Sequence, residues 1–151
     1  MREHFEVLKS KGICPTCYNL EHGYFHEDLT DKMLYEDELL FCFFEENPRS
    51  VGHTIIILRE HYHDMSNTPD DVCADVFVFA KKAMNILKET LPVEIVYLCT
   101  MCDGPVNHFH LQLIPRHPNT EIGSKNFVKQ RGKYNHNEEL VDQIRRKFIE
   151  K

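Results

Sequence analysis

The stretch of this sequence best equipped for chemistry is Asn107-His108-Phe109-His110-Leu111-Gln112-Leu113-Ile114-Pro115-Arg116. With a period of two, His108, His110, Gln112 and Ile114 share one side, and Phe109, Leu111 and Leu113 the other. Successive side chains of a strand point to opposite faces, so the spacing predicts a polar row on one face and an apolar face fit for burial. A half-exposed edge strand with chance histidines would show the same alternation. Two imidazoles and a carboxamide in line instead suit the floor of a site for an anionic substrate, with one imidazole placed for nucleophilic chemistry. Earlier in the chain, a Cys-x-x-Cys turn at Cys14 and Cys17 can set two thiolates on one tetrahedral metal ion, and Pro15 helps fix that turn. The same spacing also serves a redox pair. The metal reading needs two more ligands, and the chain holds ten histidines. Cys99 and Cys102 repeat the spacing at the end of an apolar run, where positions three apart face opposite ways. They read as ordinary buried or half-buried thiols.

The elements that must position these groups can be read along the chain. Phe5 and Leu8, with Gly12 soon after, predict a short opening helix that stops at the glycine. Lys32–Glu36 and Leu39–Phe44 flank the polar pair Asp37-Glu38 and predict a hairpin. Asn47-Pro48 breaks that pattern. The β-branched run Thr54–Leu58 predicts a central strand, ending in the polar loop Arg59–His63. Thr68-Pro69-Asp70-Asp71 predicts a helix start, with threonine as the cap, proline at the first helical position and acids on the dipole. Val72, Val76, Phe79, Ala83, Ile86 and Leu87 then continue at helical spacing, giving one amphipathic helix of about five or six turns that ends before Pro92. Val93–Cys99 predicts another strand, Asp103-Gly104-Pro105 a turn, and Pro115 the close of the histidine strand. Residues 117–136 are polar and read as a loop; Asn137 begins a final helix with Leu140, Ile144 and Phe148 on one face. This order predicts an α+β fold with a mainly antiparallel sheet and the long helix on one face. Phe109, Leu111 and Leu113 would pack on that helix, leaving the histidine side as the open, working face.

Composition narrows the partners. A length of 151 residues fits one domain, 1–151, with a proper core. A net charge of −6 argues against binding a nucleic-acid polymer through its backbone. The start, Met1-Arg2-Glu3-His4-Phe5-Glu6, is too charged for a signal peptide, and no apolar run reaches the length of a membrane span. Six cysteines without such a signal point to a reducing, cytoplasmic setting, with metal ligation or free thiols ahead of disulfides.

His108-x-His110-x-Gln112, followed by apolar residues and Pro115-Arg116, resembles the motif of the histidine-triad (HIT) superfamily of nucleotide hydrolases and transferases. Cys14-Pro15-Thr16-Cys17 is similar to the early Cys-x-x-Cys of many members, and Phe43–Pro48 resembles the segment that contacts the ribose. Gly52-His53-Thr54-Ile55-Ile56-Ile57 resembles the family's Gly-His strand, and Arg59-Glu60-His61 its basic loop. The match covers about residues 13–118 in the family's order, leaving the loop and helix of 119–151 outside it. The resemblance implies that His110 attacks the α-phosphorus of a nucleotide conjugate or dinucleoside polyphosphate and holds a nucleotidyl-imidazole intermediate. It implies Glu45 as the acid that accepts hydrogen bonds from ribose hydroxyls. Gly104 would let backbone approach the phosphates.

Gln112 stands where hydrolytic branches mostly carry a third histidine. It can donate to a phosphoryl oxygen but cannot titrate near neutrality. Glutamine there resembles the uridylyltransferase and dinucleoside tetraphosphate phosphorylase branches, so hydrolase and transferase both stand. In zinc-bearing members the first histidine of the motif completes a site, which here implies Cys14, Cys17, His61 and His108, with His63 or His22 as substitutes for His61. Such a closed shell of thiolates and imidazoles makes the zinc structural. An open coordination position would instead make a metal-dependent hydrolase. The family also implies a homodimer, and Phe77, Val78 and Met84 beside the main stripe of the long helix agree with a partner surface. Outside enzymes, the alternative is a nucleotide-binding or scaffold protein with a degenerate site.

Overall fold

The computed structural model describes residues 4–120, 123, 125 and 136–150. Three short helices open the chain: α1 (Phe5–Ser10), α2 (Pro15–Glu21) and α3 (Tyr24–Leu29). Strands β1 (Met33–Glu36), β2 (Leu40–Phe44) and β3 (Thr54–Leu58) follow, then the long helix α4 (Asp70–Thr90). Strands β4 (Ile95–Cys99) and β5 (His110–Arg116) complete the sheet, and α5 (Glu138–Glu150) ends the described chain. The strands lie in the order β1-β2-β3-β5-β4, and every neighbouring pair is antiparallel.

The fold follows from how each segment hides its apolar side chains. β3 is buried at all five positions, as its unbroken β-branched run requires of a central strand. Ile56 and Leu58 enter a large core with Phe109, Leu111 and Leu113 of the histidine segment and with Val76, Ala80, Ala83, Ile86 and Leu87 of α4. Val141, Ile144 and Phe148 of α5 join that core, with Leu140 at its margin. The hairpin is held at its turn by Asp37, whose Oδ1 accepts the Leu39 and Leu40 amides at 2.8 and 2.9 Å.

The structure corrects five local expectations. The histidine side of the sheet is not open. Helices α2 and α3, which periodicity did not reveal, bring Phe25, Leu20 and Leu29 onto Phe41, Phe43, Ile55 and Ile57 and cover part of it. The Cys-x-x-Cys segment is no free turn. Cys14 is the N-cap and Pro15 the first residue of α2. Thr68 does not cap α4; Pro69 holds that position, and the Thr68 hydroxyl bonds back to the Asp64 carbonyl at 2.8 Å. Pro115 does not close β5, which runs on to Arg116. The Pro115 carbonyl faces Ser50, beyond the last β3–β5 pair at Thr54 and Leu113, so the missing N–H costs no ladder bond. Finally, Phe77 and Met84 pack against the core, leaving Val78, 69% exposed, as the prominent apolar group on α4's outer side.

Gly52 is a position where glycine is required. Its φ is +90°, and a Cβ there would lie 2.4 Å from Leu91 Cδ1 and 3.1 Å from Pro115 Cγ. Gly52→Ala is therefore expected to destabilise the protein by about 2–4 kcal/mol, from the left-handed backbone and the displaced Leu91 together. Denaturant titration checks this; a loss below about 1 kcal/mol would show that the turn tolerates a side chain.

Candidate active site and metal centre

His110 opens β5, and the segment before it, Asn107–Phe109, is pinned by the Phe109 amide donating to the Tyr62 carbonyl at 2.7 Å. His108, His110 and Gln112 all line one cavity of about 770 Å³. His110 is half-buried. Its Nδ1–H donates to the His108 carbonyl at 2.8 Å, which leaves the Nε2 lone pair as the ring's reactive edge. This is the tautomer a nucleophilic imidazole needs.

Gln112 is 4% exposed, and its amide is oriented by a chain of donors. The Arg49 amide donates to His53 Nδ1 at 3.0 Å, so the His53 proton sits on Nε2 and donates to Gln112 Oε1 at 2.9 Å. The Arg49 guanidinium lies 3.5 Å from the same oxygen. With its oxygen engaged, Gln112 has its NH2 group to offer the cavity. Sequence reading placed His53 in the Gly-His strand but gave it no role. Its 59-residue separation from Gln112 hides the link until β3 and β5 are paired.

Glu45 lines the cavity, and its Oε1 accepts the Asn47 amide at 3.1 Å. Gly104 has φ +88° with open space about it. Its neighbours Asp103, Val106 and Asn107 line the cavity, and its carbonyl accepts from Asn107 Nδ2 at 2.6 Å.

Cys14 and His108, which line the cavity, converge with Cys17 and His61, their four ligand atoms all within 4.8 Å of one another. Cys14 Sγ and Cys17 Sγ lie 3.4 and 3.6 Å from His108 Nδ1. Cys17 Sγ lies 3.4 Å from His61 Nδ1, and the two Nδ1 atoms are 3.3 Å apart. A tetrahedral zinc with ordinary bond lengths sets such edges at about 3.3–3.8 Å, so the donor set fits that ion. The backbone supplies the outer support: His108 Nε2–H donates to the Leu58 carbonyl at 2.7 Å, which turns the Nδ1 lone pair toward the thiols. Burial drives the His108 imidazole down to about 4, aided by His61 and His110 and opposed by the Leu58 bond, so it is neutral near pH 7. Burial, then Cys14 beside it, pushes the Cys17 thiol up to about 12, so a metal must displace its proton. His63 and His22 point elsewhere. His63 meets Asp64 and Asn107, and His22 meets the Tyr18 carbonyl.

Residues 26–119 match the HIT domain family. This chain belongs to the HIT family. An uncharacterised HIT-like protein of Methanocaldococcus jannaschii is 31% identical over 94 residues, covering 60% of this chain and 72% of that protein. The adenosine 5′-monophosphoramidase of Schizosaccharomyces pombe is 29% identical over 96 residues, covering 64% of this chain and 71% of that one. In fold, a zinc-bound histidine-triad protein of Mycobacterium smegmatis superposes with a TM-score of 0.69 at 20% identity, covering 91% of this chain and 94% of that one. The five-stranded antiparallel sheet with its long helix is thus the HIT fold. Among the described residues no helix is long and apolar enough to cross a membrane.

Proposed function

We propose that this HIT protein is a nucleotide hydrolase that cleaves at the α-phosphate of a nucleotide conjugate through a nucleotidyl-His110 intermediate. The observation that carries this reading is the His110 tautomer: Nδ1–H is held by the His108 carbonyl, and the ring lines the cavity. The monophosphoramidase activity named for the fission-yeast relative supports the reaction class. In the first step the His110 Nε2–phosphorus bond forms and the bond to the leaving group breaks. In the second, water attacks phosphorus and gives up a proton to solvent, the His110 Nε2–phosphorus bond breaks, and the nucleoside monophosphate departs with His110 restored. The Gln112 NH2 donates to a non-bridging oxygen as charge gathers there. Glu45 takes the ribose hydroxyls, and the Gly104 turn sets the backbone beside the phosphates.

Cys14, Cys17, His61 and His108 would hold a structural zinc, as the zinc-bound mycobacterial relative suggests. Bound there, the ion would supply rigidity, since the four protein ligands would leave it no open position and would fix His108 two residues before the nucleophile. The family's dimeric habit would use the edge strand β4 and the outer side of α4 around Val78.

Two features narrow the leaving group. Gln112 cannot give it a proton, so it must leave as a stable anion. Among the described residues the cavity lining holds Asp28, Glu45, Glu46 and Asp103 with Lys9, and the Arg49 guanidinium stands behind Gln112; the acid excess opposes a highly charged polyphosphate. Together they favour mixed anhydrides with a singly charged leaving group. The test is a panel of adenylyl mixed anhydrides, phosphoramidates and dinucleoside polyphosphates, with single-turnover trapping of nucleotide on His110. Absence of a covalent nucleotide on His110 with every member of the panel would remove the proposal.

Gln112 also supports a second reading, transfer to an acceptor such as phosphate. Gln112→His offers a titrating group to the leaving atom. It is expected to raise phosphoramidate turnover by roughly ten- to a hundredfold, to add pH dependence near neutrality, and to shift any transfer toward hydrolysis. Gln112→Ala is expected to cost about a hundred- to a thousandfold while the intermediate still forms slowly. Unchanged phosphoramidate rates and pH profile in Gln112→His would show that the residue at this position does not govern proton delivery.

A further inference from the structure

Gln112 is approached by more donors than its orientation needs. His53 Nε2–H meets its Oε1 at 2.9 Å, and that bond alone turns the NH2 group toward the cavity. Arg49 brings a second donor to the same oxygen, with its guanidinium Nη1 3.5 Å away. The contact is long for a hydrogen bond, so what it adds is chiefly charge. The turn between β2 and β3 fixes where that charge stands. The Glu45 amide donates to the His53 carbonyl at 2.8 Å, and the His53 amide to the Ser50 carbonyl at 3.1 Å. Ser50 Oγ ties the turn to β5 through the Pro115 carbonyl at 2.7 Å. Within the turn the Arg49 amide holds His53 Nδ1 at 3.0 Å. Arg49 therefore acts on Gln112 twice, by its backbone through His53 and by its side chain directly. The charge also reaches β4. Cys99 is the β4 partner of Gln112, and directly opposite residues share a face. Burial raises the Cys99 thiol, and the Arg49 charge opposes that rise.

We propose that Arg49 is a positioning residue that acts through Gln112: its guanidinium pins and polarises the amide carbonyl, and so strengthens the NH2 donor that faces the phosphoryl group. This rests on the nucleotide reading, in which that NH2 meets a non-bridging oxygen. Gln112 lines the cavity and Arg49 stands behind it, so the amide is the path by which the cation is felt at the substrate. An amide conjugates its two ends. A cation held at the oxygen draws electron density from the nitrogen, and the N–H bonds become better donors. The gain is greatest when negative charge gathers on the phosphoryl oxygen, so it falls on rate rather than on affinity. The same charge explains why an amide suits this place in β5. An imidazole there would have to take up its proton beside a fixed cation, which lowers its pKa, whereas the amide stays neutral at every pH.

The first test is a double-mutant cycle on zinc-loaded protein. It reads the single-turnover rate of nucleotidyl-adduct formation with adenosine 5′-phosphoramidate, or with the panel member that wild type takes fastest. Arg49→Met is expected to slow that step by roughly ten- to thirtyfold while affinity for AMP stays within about twofold. Arg49→Lys keeps the charge and is expected to return to within about fivefold of wild type. On a Gln112→Ala background, Arg49→Met is expected to change the rate by less than about twofold, because the amide that carries its effect is gone. A residue that merely shaped the turn would cost the same factor on both backgrounds. The second measurement needs no substrate: an NMR titration of the introduced imidazole in Gln112→His protein. Adding Arg49→Met is expected to raise the pKa of that imidazole by about one unit. His53, Cys99 and His110, the titratable groups beside it, are common to both proteins. An unchanged rate in Arg49→Met, an equal loss with and without Gln112, or an imidazole whose pKa does not move would each overturn the assignment while leaving the nucleotide reading in place. A wild type that forms no nucleotidyl adduct with any member of the panel would overturn both.

Discussion

His110→Ala is expected to lower turnover by about 10³–10⁶-fold while nucleotide affinity stays within a few-fold of wild type. The reaction is assigned to one lone pair. The ring's Nδ1–H is committed to the His108 carbonyl at 2.8 Å, so chemistry falls to Nε2. Alanine removes that nitrogen but leaves the apolar lining of Phe25, Leu29, Phe43, Ile55 and Ile57 in place. Loss of rate without loss of affinity is the signature of a group that acts in the transition state rather than the ground state. Pre-steady-state kinetics and intact-protein mass measurement check it: wild type should show a nucleotidyl adduct, and the variant none. His110→Gly supplies a companion result, since added imidazole can refill the cavity as a soluble nucleophile. A variant that keeps more than a tenth of wild-type turnover, or an adduct on another residue, would move the chemistry away from His110.

The histidine strand was legible in its faces because its alternation carries two messages at once. Phe109, Leu111 and Leu113 mark the buried face, and the core holds all three. His108, His110 and Gln112 mark the other, and all three meet in the cavity. The long helix was legible for a similar reason: its apolar positions recur at helical spacing over 21 residues. The segment from Cys14 to Leu29 was not. Two short helices leave too few turns for a periodic signal, and their apolar residues, Leu20, Phe25 and Leu29, make sense only against Phe41, Phe43, Ile55 and Ile57 across the sheet. The covered histidine face and the His53–Gln112 bond depend on that missing layer or on strand pairing. Thr68 misled because its hydroxyl has two uses, capping or local turn formation, and the Asp64 carbonyl claimed it. His61 could be separated from His63 and His22 only by where the loop after β3 turns, which is a property of the folded chain. The expected loop over 117–136 falls mostly outside the described residues; His136 lies within them, its ring stacked on Phe44 at 3.9 Å and its Nε2 accepting the Gly52 amide.

Cys17→Ser is expected to abolish metal binding and to destabilise the protein by at least about 3 kcal/mol, with purified wild type carrying about one zinc per chain. The size follows from what the four ligands connect. Cys14 and Cys17 sit at the start of α2, His61 in the loop after β3, and His108 just before β5. One ion in their midst would bind the covering helices to the catalytic strand across 94 residues of sequence, the separation of Cys14 from His108. Without it, α2 and α3 hold to the sheet through the smaller apolar cluster around Phe25 and the contacts of His26 with Glu36 and Phe41. The buried His108 imidazole is already neutral near pH 7, so ligation requires no proton from it there. The Cys17 thiol, raised to about 12 by burial and then by Cys14, must give up its proton on binding. Affinity should therefore fall by at least about tenfold for each unit of pH below neutrality, because acid returns that proton. Elemental analysis, thermal melts and competition with a chelator across pH 5.5–7.5 measure these together. A Cys17→Ser protein that melts where wild type does, or a wild type that purifies without zinc at unchanged stability, would strip the cluster of its structural role and leave four polar side chains converging for no stated reason.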